Sequence, residues 1–396
     1  MRFRSAVPLI GAVFAALLMT PTVAVALPHA TPAKPISSID KSKVMSAADR
    51  AAIDAAAQEA VTGSLDRAPG LWLAVWDPKK GYYEQAYGEA VLDVAKATVR
   101  DHFMIGSITK TVFAAAVLQQ VAAGKLKLND TVAKLDPTLA KEFPKAAKYT
   151  VAQLLSMRTQ IPDYADAAVA LQVADPQRHF SRNDLIALGL SKGVAQPKVG
   201  GYSTTNYIIL GVILTKLTGK TPETLVNGVF KQAGMTQSKL PSTSGPLPAP
   251  AAHGYIGANS GPEFTKINPD VTATTDVSTW TFDWGKEGGG AYSTIGDLAA
   301  WGGTCLGNSL LPPSMVAKRL VFTKINAGDY GRGIIRQGDW LGHSGQAIGY
   351  EANVACNPKT GAVVAWAVNS TYGGVMLNDV LGPVAYPEYY AALQKR

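Results

Sequence analysis

Strand-like segments lie near both ends of this 396-residue sequence, and helical patterns fill the stretch between them. Before residue 100, LWLAVWD and YYEQAY flank the turn sequence PKKG at 78–81, which predicts a β-hairpin. After residue 290, the short segments YGRGIIRQ, DWLGHSG, EANVACN and AVVAWAVN are bounded by turn residues. We therefore predict an α+β fold: one antiparallel sheet built from both ends of the chain and flanked by helices, with a mainly helical subdomain inserted at about residues 125–290.

Helix signals predict several of the other elements. Ser46 is placed to cap a helix that runs to Ala60. Residues 107–123 are Ala-rich and apolar over several turns, with Gly124 as a stop, which describes a buried helix. TNYIILGVILTKLTG predicts a further helix that ends near Gly219. Because 47% of the residues are hydrophobic, the chain can bury a sizeable core, as one large domain or two closely packed ones.

Residues 1–26 have the pattern of a cleaved secretory signal peptide. Two arginines precede an apolar run, and the small residues AVA at 24–26 predict cleavage after Ala26; an uncleaved anchor is the alternative. Residues 27–45 are rich in Pro, Ser and Lys and are expected to form a flexible leader before the folded domain at 46–396. No later apolar run reaches the length of a membrane span. The expected location is therefore extracytoplasmic, as a secreted protein.

Charge and motif searches narrow the class of function. The formal net charge of +8 falls to +6 without residues 1–26, and no basic block is interleaved with aromatic residues, so nucleic acid is not an expected partner. The GxSxG turn of Ser-His-Asp hydrolases is absent. No metal or other cofactor is expected, because HExxH is absent and the five histidines are far apart: His29, His102, His179, His253 and His343.

The pattern S-x-x-K occurs twice, from Ser38 to Lys41 and from Ser107 to Lys110. The first copy lies in the predicted leader, where nothing can hold its geometry. The second opens the predicted buried helix, where residues three apart share one face, with Cβ atoms about 5–6 Å apart. Burial lowers the pKa of a lysine so that it can take the serine proton, and a helix N-terminus favours negative charge near Ser107. The alternative is that Ser107 only caps the helix and Lys110 lies at the surface.

The segment FMIGSITKTVFAAAVLQQVAAGKLKLNDTV resembles the first motif region of the serine β-lactamase and D-alanyl-D-alanine carboxypeptidase superfamily, on its class C side. Four further segments resemble the family in the expected order: VAQLLSMRTQIPDY, GGYSTTNYIILGVILTKLTGKT, EGGGAYSTIGDLAAWG and GHSGQAIGY. The resemblance covers roughly residues 70–370 and implies the fold of the β-lactamases and DD-peptidases. Gln160 departs from it, because the family pattern has Gly at that position.

The resemblance implies catalytic roles for three residues. Ser107 would attack the substrate carbonyl and form an acyl-enzyme, and Lys110 would accept or relay its proton. Tyr202, the first residue of the second motif, would pass a proton to the leaving group. A tyrosine with an ordinary pKa near 10 needs a nearby positive charge for that role, and Lys110 could supply it.

The third motif of the family is matched by His343, Ser344 and Gly345, in an H-x-G form. In the family this strand lines one wall of the substrate cleft, and the glycine allows the substrate backbone to approach closely. The resemblance further implies that the backbone N–H groups of Ser107 and Gln346 form the oxyanion hole.

Thr204 is a departure within the second motif, which usually ends in Asn. An Asn amide can contact both the lysine and the substrate, whereas Thr has a hydroxyl without that donor and acceptor pair. Asn206 lies two residues later and is expected to face elsewhere on the helix. We therefore expect inefficient turnover of β-lactams, with the nucleophile and the oxyanion hole retained.

The two cysteines of the chain are Cys305 and Cys356. Export would place them where disulfides persist, so one bridge is possible; the alternative is two separate buried thiols. Cys305 is expected to end a helix and Cys356 to lie in a strand.

The function expected from these implications is a secreted serine hydrolase that forms an acyl-enzyme, most of all a D-alanyl-D-alanine carboxypeptidase-like peptidase acting on cell-wall peptides. The H-x-G form favours this over a dedicated β-lactamase, because family β-lactamases usually have Lys at the position of His343. An esterase or a weak β-lactamase on the same scaffold is one alternative, and a catalytically weak cell-wall or penicillin-binding protein is another. The expected partner is accordingly a cell-wall peptide, a β-lactam or an ester.

Overall fold

The strands of the protein come mainly from two separate stretches of the chain. The structure is a computed structural model, and it describes residues 39–61, 68–191, 200–371 and 374–395. Its strands are β1 (Gly70–Asp77), β2 (Gly81–Val91), β3 (Ala95–Lys96), β4 (Phe103–Met104), β5 (Tyr292–Ser293), β6 (Thr323–Ile325), β7 (Gly328–Tyr330), β8 (Ile335–Gln337), β9 (Trp340–Ala347), β10 (Tyr350–Cys356) and β11 (Val363–Val368).

Nine of the described strands form one antiparallel sheet, in the order β3-β2-β1-β11-β10-β9-β8-β7-β6. The predicted hairpin consists of β1 and β2, and Asp77 pairs with Gly81 at its turn. On its other edge β1 pairs with β11, so that Leu73 lies opposite Trp366. The short strands β4 and β5 pair with each other. The prediction of an α+β fold with an antiparallel sheet built from both ends of the chain is confirmed.

Helices are the main regular structure between β3 and β6 and also cover the sheet. They are α1 (Ala47–Val61), α2 (Thr109–Ala122), α3 (Val132–Leu135), α4 (Pro137–Glu142), α5 (Val151–Leu155), α6 (Ala165–Ala174), α7 (Arg182–Leu190), α8 (Thr205–Thr218), α9 (Pro222–Gln232), α10 (Gly261–Ile267), α11 (Lys286–Gly289), α12 (Ile295–Gly303), α13 (Pro313–Arg319), α14 (Gly374–Ala385) and α15 (Pro387–Leu393). Helices α3 to α11 lie between residues 132 and 289, within the region assigned to the helical insertion.

Local signals account for the ends of several helices. The Ser46 hydroxyl accepts a hydrogen bond from the Asp49 N–H at 3.1 Å, as a capping residue does at the start of a helix. Helix α8 ends before Gly219, whose φ of +67° is the left-handed conformation that glycine adopts at low cost. The helix predicted from residue 107 begins instead at Thr109, after a 3₁₀ turn at Gly106–Ile108.

Strand β1 separates two hydrophobic cores, because its side chains are buried alternately on both faces of the sheet. Trp72 and Ala74 belong to the core formed with α2 and α12. Leu71 and Leu73 belong to the core beneath α1, α14 and α15. The sheet is therefore covered by helices on both faces, and the first face carries the helix that follows Ser107.

The segment just before α1 is packed against the sheet. The Tyr82 N–H donates to the Lys43 carbonyl at 2.7 Å, and the Met45 N–H donates to the Tyr82 carbonyl at 3.1 Å. The Met45 side chain is buried. The predicted flexible leader is therefore wrong for these residues, because backbone pairing with β2 holds them. The predicted signal peptide at 1–26 and the leader residues 27–38 lie outside the described residues.

Within the described residues, no helix is both long and apolar enough to span a membrane.

The two cysteines are joined in a disulfide with their Cα atoms 5.7 Å apart. Cys305 lies two residues after the end of α12, and Cys356 is the last residue of β10. The bridge therefore ties a helix of the first core to the centre of the sheet.

Candidate active site

The partly exposed Ser107 and the buried Lys110 form a hydrogen-bonded pair at the start of α2. Ser107 lies in the 3₁₀ turn, and the Lys110 ammonium donates to its hydroxyl oxygen at 2.9 Å. Lys110 has no exposed surface, and its ammonium also donates to the carbonyl of Gly288 at 2.6 Å. These contacts are incompatible with the alternative of a surface lysine. Helical spacing brings the pair together, while α11 supplies the second acceptor.

The protonation of Lys110 is set by its surroundings. Burial lowers the pKa of Lys110 to about 7, and the negative charge of Asp163 opposes that shift. An ordinary lysine has a pKa near 10.4 and is almost fully protonated at neutral pH. Lys110 can therefore lose its proton near pH 7, so that its neutral amine can take the proton of Ser107.

Two glycines allow β9 to approach the 3₁₀ turn that contains Ser107 backbone to backbone. Gly106 has a φ of +47°, and a Cβ atom there would lie 2.4 Å from the backbone nitrogen of Gln346. A Cβ atom on Gly345 would lie 1.9 Å from the carbonyl oxygen of Ile105. Both distances are too short for a real side chain, so glycine is required at both positions. The approach brings the backbone nitrogens of Ser107 and Gln346 to the same place, where the 3₁₀ turn meets β9.

Tyr202 lies next to Lys110, with its hydroxyl near Ser107. The Lys110 ammonium is 4.9 Å from the centre of the Tyr202 ring. Burial raises the pKa of Tyr202 well above its usual range, and the neighbouring Ser107 hydroxyl partly offsets the shift. The Tyr202 hydroxyl is buried beside the Ser107 hydroxyl and makes no hydrogen bond of full geometry within the described part of the chain. A free phenol at this point can receive a hydrogen-bonding group of a substrate.

His343 lies on β9 behind Tyr202. Its Nε2 atom is 3.2 Å from the Tyr330 hydroxyl, and its ring lies 6.1 Å from the ring of Tyr202. Burial, together with the charge of Lys110, lowers the pKa of His343 to about 3. The imidazole is therefore neutral at physiological pH. The side chains of Ser344 and Gln346, next along the same strand, are exposed.

Thr204 contacts a carboxylate rather than the lysine. Its hydroxyl donates to Oδ2 of Asp163 at 3.2 Å, and its methyl group packs on Gly288, where a Cβ atom would lie 2.4 Å away. Asn206 faces away, as expected: its side-chain oxygen accepts from the Thr159 hydroxyl at 2.9 Å. The amide that the family pattern places at residue 204 is therefore not supplied by Asn206.

An ion cluster behind the site anchors the segment that carries Gly288. The Arg182 guanidinium donates to both oxygens of Glu287 at 2.8–3.1 Å and to Glu223 at 2.6 Å. Glu287 has no exposed surface. A Cβ atom on Gly211 would lie 1.6 Å from Oε1 of Glu287, so this glycine inside α8 makes room for the carboxylate. The cluster thereby holds the carbonyl that accepts from Lys110.

Sequence reasoning did not assign a role to Asp163, Arg182 or Glu287. Asp163 lies in the PDY segment and Glu287 in the EGGG segment, both of which carried the family resemblance. That signal could have marked these two residues for attention. Arg182 had no such signal, because its partners lie 41 and 105 residues away along the chain.

Each of the other three histidines in the described residues contacts a backbone carbonyl or a carboxylate. Nδ1 of His102 lies 2.9 Å from the Pro250 carbonyl, and His253 pairs with Asp276 at 2.7 Å. His179 contacts the carboxylate of Asp283. Within the described ranges, no three His, Cys, Asp or Glu side chains are grouped as metal ligands.

Comparison with known proteins supplies a family match. The family model described as Beta-lactamase matches residues 56–380. The protein PbpX of Bacillus subtilis (strain 168) is 30% identical over 154 residues, which cover 39% of this chain and 36% of that protein. The chain thus spans about a third of the length of this relative.

Solved structures share the fold at low sequence identity. A D-stereospecific amidohydrolase from Streptomyces sp. superposes with a TM-score of 0.70 and 23% identity, covering 85% of this chain and 98% of that one. The D-amino acid amidase from Ochrobactrum anthropi SV3, complexed with L-phenylalanine amide, gives a TM-score of 0.73 and 20% identity, covering 88% and 99%. At these identities the comparison establishes the common fold.

Proposed function

The chain belongs to the Beta-lactamase family of serine hydrolases, and on that premise we propose that it hydrolyses amide bonds of D-amino acid residues through an acyl-enzyme on Ser107. The observation that carries this proposal is the hydrogen bond between Ser107 and the fully buried Lys110. Burial lowers the pKa of that lysine to about 7. A hydroxyl is a weak nucleophile unless an adjacent base takes its proton.

The proposed acylation step uses three groups in sequence. Neutral Lys110 takes the proton of Ser107 while the Ser107 oxygen bonds to the substrate carbonyl carbon. The backbone N–H groups of Ser107 and Gln346 receive the resulting oxyanion. Tyr202 then passes the proton held by Lys110 to the leaving nitrogen as the C–N bond breaks. The unpartnered Tyr202 hydroxyl and the close approach of Gly106 to Gln346 support these roles.

Deacylation returns the enzyme to its starting state. A water molecule attacks the ester carbonyl and loses a proton to the Lys110 and Tyr202 pair. The ester C–O bond then breaks, Ser107 regains a proton, and the product leaves as a carboxylic acid.

The substrate class is supported by two features. Two proteins with the same fold are a D-stereospecific amidohydrolase and a D-amino acid amidase. In addition, the third motif offers a neutral His343 where many family members place a lysine, so it adds no positive charge to bind a substrate carboxylate. A D-amino acid amide or an internal peptide bond fits such a site better than the C-terminal carboxylate of a D-alanyl-D-alanine peptide. That carboxypeptidase-like activity remains the second candidate, supported by the motif resemblance.

The test is covalent labelling followed by a substrate panel. Intact mass spectrometry after exposure to an activated ester or a β-lactam is expected to show one adduct, which tryptic mapping assigns to Ser107. Ser107→Ala should abolish it, whereas Ser38→Ala, the serine of the other S-x-x-K, should label normally. An adduct on a peptide lacking Ser107 would overturn the proposal. Relative kcat/KM values for D-phenylalanine amide and a D-alanyl-D-alanine peptide then separate the two substrate classes.

Secretion is proposed on the signal-peptide pattern of residues 1–26 and is supported by the Cys305–Cys356 disulfide, since such bonds persist in oxidising compartments. N-terminal sequencing of protein recovered from culture medium is expected to begin at Leu27. A chain that stays in the cytoplasm with Met1 intact would contradict it.

A further inference from the structure

Three consecutive hydroxyl side chains hold the loop that carries Asp163. Ser203 and Thr205 both donate to the carbonyl of Pro162, at 3.0 and 2.6 Å. Thr204 donates to Oδ2 of Asp163 itself at 3.2 Å. The residues that follow Tyr202 therefore tie the position of the Asp163 carboxylate to that of the catalytic tyrosine.

The other oxygen of Asp163 is also held in place. Its Oδ1 atom accepts a hydrogen bond from the Ala165 N–H at 3.1 Å, at the start of α6. Burial raises the pKa of Asp163 above its usual value, and the charge of Lys110 and the hydrogen bonds from Ala165 and Thr204 oppose that rise. The carboxylate thus has a defined orientation, and Thr204, which holds it, also packs its methyl group on Gly288, the residue whose carbonyl accepts from Lys110.

The groups that face the Lys110 ammonium come from six parts of the chain. They are the Ser107 hydroxyl, the Gly288 carbonyl, the rings of Tyr202 and Tyr207, the imidazole of His343 and the carboxylate of Asp163. Burial raises the pKa values of both tyrosines and lowers that of His343, so these three side chains are neutral near pH 7. Among the described groups that face Lys110, Asp163 supplies the negative charge.

We propose that Asp163, held by the hydroxyl of Thr204, is the counter-ion of Lys110 and a positioning residue that acts on Ser107 through that lysine. In this arrangement Thr204 orients the Asp163 carboxylate, whereas the family pattern has an Asn at this position that would supply an amide. The inference rests on the proposed acyl-enzyme function and adds a third, acidic member to the serine and lysine pair.

The consequence is a specific pH dependence. Acylation requires neutral Lys110, so its rate should rise with pH and reach half of its plateau near pH 7. A negative charge nearby stabilises the ammonium and raises the lysine pKa. Without the Asp163 charge, the lysine would lose its proton at a lower pH and would be a weaker base at every pH above that.

The experiment measures single-turnover acylation by a nitrophenyl ester from pH 5 to pH 9, using the full chain. Asp163→Asn keeps the size of the side chain and an oxygen that can accept from Thr204. It is expected to move the midpoint down by about one pH unit or more and to lower the plateau rate. Asp166→Asn, an equal charge change on the exposed side of α6, should leave the midpoint unchanged.

Substitutions at Thr204 test the second half of the inference. Thr204→Val removes the hydroxyl at nearly constant volume and should move the midpoint in the same direction by a smaller amount. Thr204→Ser restores the hydroxyl and should restore the original midpoint. Thermal unfolding would show whether Asp163→Asn folds. If it does not, the Thr204 variants still test the inference.

The outcomes separate this inference from the proposed function. If the unsubstituted protein fails to label at Ser107, the acyl-enzyme proposal itself is wrong. If Ser107 labels normally and folded Asp163→Asn has an unchanged midpoint, the counter-ion role is overturned alone. An unchanged midpoint in Thr204→Val, with a shifted midpoint in Asp163→Asn, would overturn the role of Thr204 only.

Discussion

Two groups of buried charges lie close to the segment 287–289, and their electrostatics are opposite. On one side, the Arg182 guanidinium is matched by two carboxylates, which outweigh the effect of burial and raise the pKa of Arg182 above its usual value. On the other side, Lys110 faces one carboxylate and several neutral groups, and burial prevails. The first cation is permanently charged, whereas the second can exchange its proton near pH 7.

The difference shows how one protein uses buried charge for two purposes. A guanidinium with bidentate partners fixes geometry, because its planar donors match carboxylate oxygens and its proton is never lost. A buried lysine whose charge is only partly balanced by nearby carboxylates can act as a base, because burial penalises its charged form. Gly288 connects the two groups, since it follows Glu287 in the chain and accepts from Lys110.

The largest expected effect is on the rate of acylation and comes from replacing Lys110, the cation that can lose its proton near pH 7. Lys110→Met keeps a long side chain but has no base, so the rate of Ser107 acylation should fall by about 10²–10⁴-fold. Stability should fall as well, because the Gly288 carbonyl loses its donor and Asp163 loses its counter-ion, but by less than in a variant that leaves two carboxylates unpaired. Single-turnover kinetics and thermal unfolding of the same preparations would show this. A loss of less than tenfold in rate would contradict the role assigned to Lys110.

Replacing Arg182, whose charge is matched by two carboxylates, should have its main effect on stability. Arg182→Met leaves two carboxylates without their partner, one of them fully buried, and breaking such a pair costs about 3–5 kcal/mol of unfolding free energy. Arg178→Met, on an exposed arginine nearby, should cost no more than about 0.5 kcal/mol. Urea denaturation would measure both. Equal stability of the two variants would remove the basis for calling the Arg182 cluster structural.

The smallest effect is expected at Thr204, on the boundary of the catalytic group. Thr204→Asn restores the residue of the family pattern but gives up the hydroxyl that Asp163 accepts from, a contact worth about 1 kcal/mol. Amide hydrolysis should therefore fall by roughly fivefold, as kcat/KM would report. A rise in β-lactam turnover would instead show that the missing amide had limited the enzyme.

Much of the fold follows from local patterns in the sequence. The β1–β2 turn, the Ser46 cap and the end of α8 at Gly219 each depend on residues within one turn of one another. The leader was mistaken near residues 43–45 because its backbone bonds are made to Tyr82, about 40 residues away. The composition of that segment indicated a flexible chain, but its backbone hydrogen bonds to Tyr82 hold it in place.

The sequence by itself determined that Ser107 and Lys110 lie one turn apart, because a separation of three residues brings two side chains to the same face of an α-helical or a 3₁₀ turn. Only the tertiary structure decided what that pair can do. The Gly288 carbonyl lies 178 residues from Lys110 in sequence, and Asp163 lies 53 residues away; both reach the lysine through packing of separate helices and loops. A lysine pKa depends on desolvation and on charges within a few ångströms, and residues distant in sequence supply both.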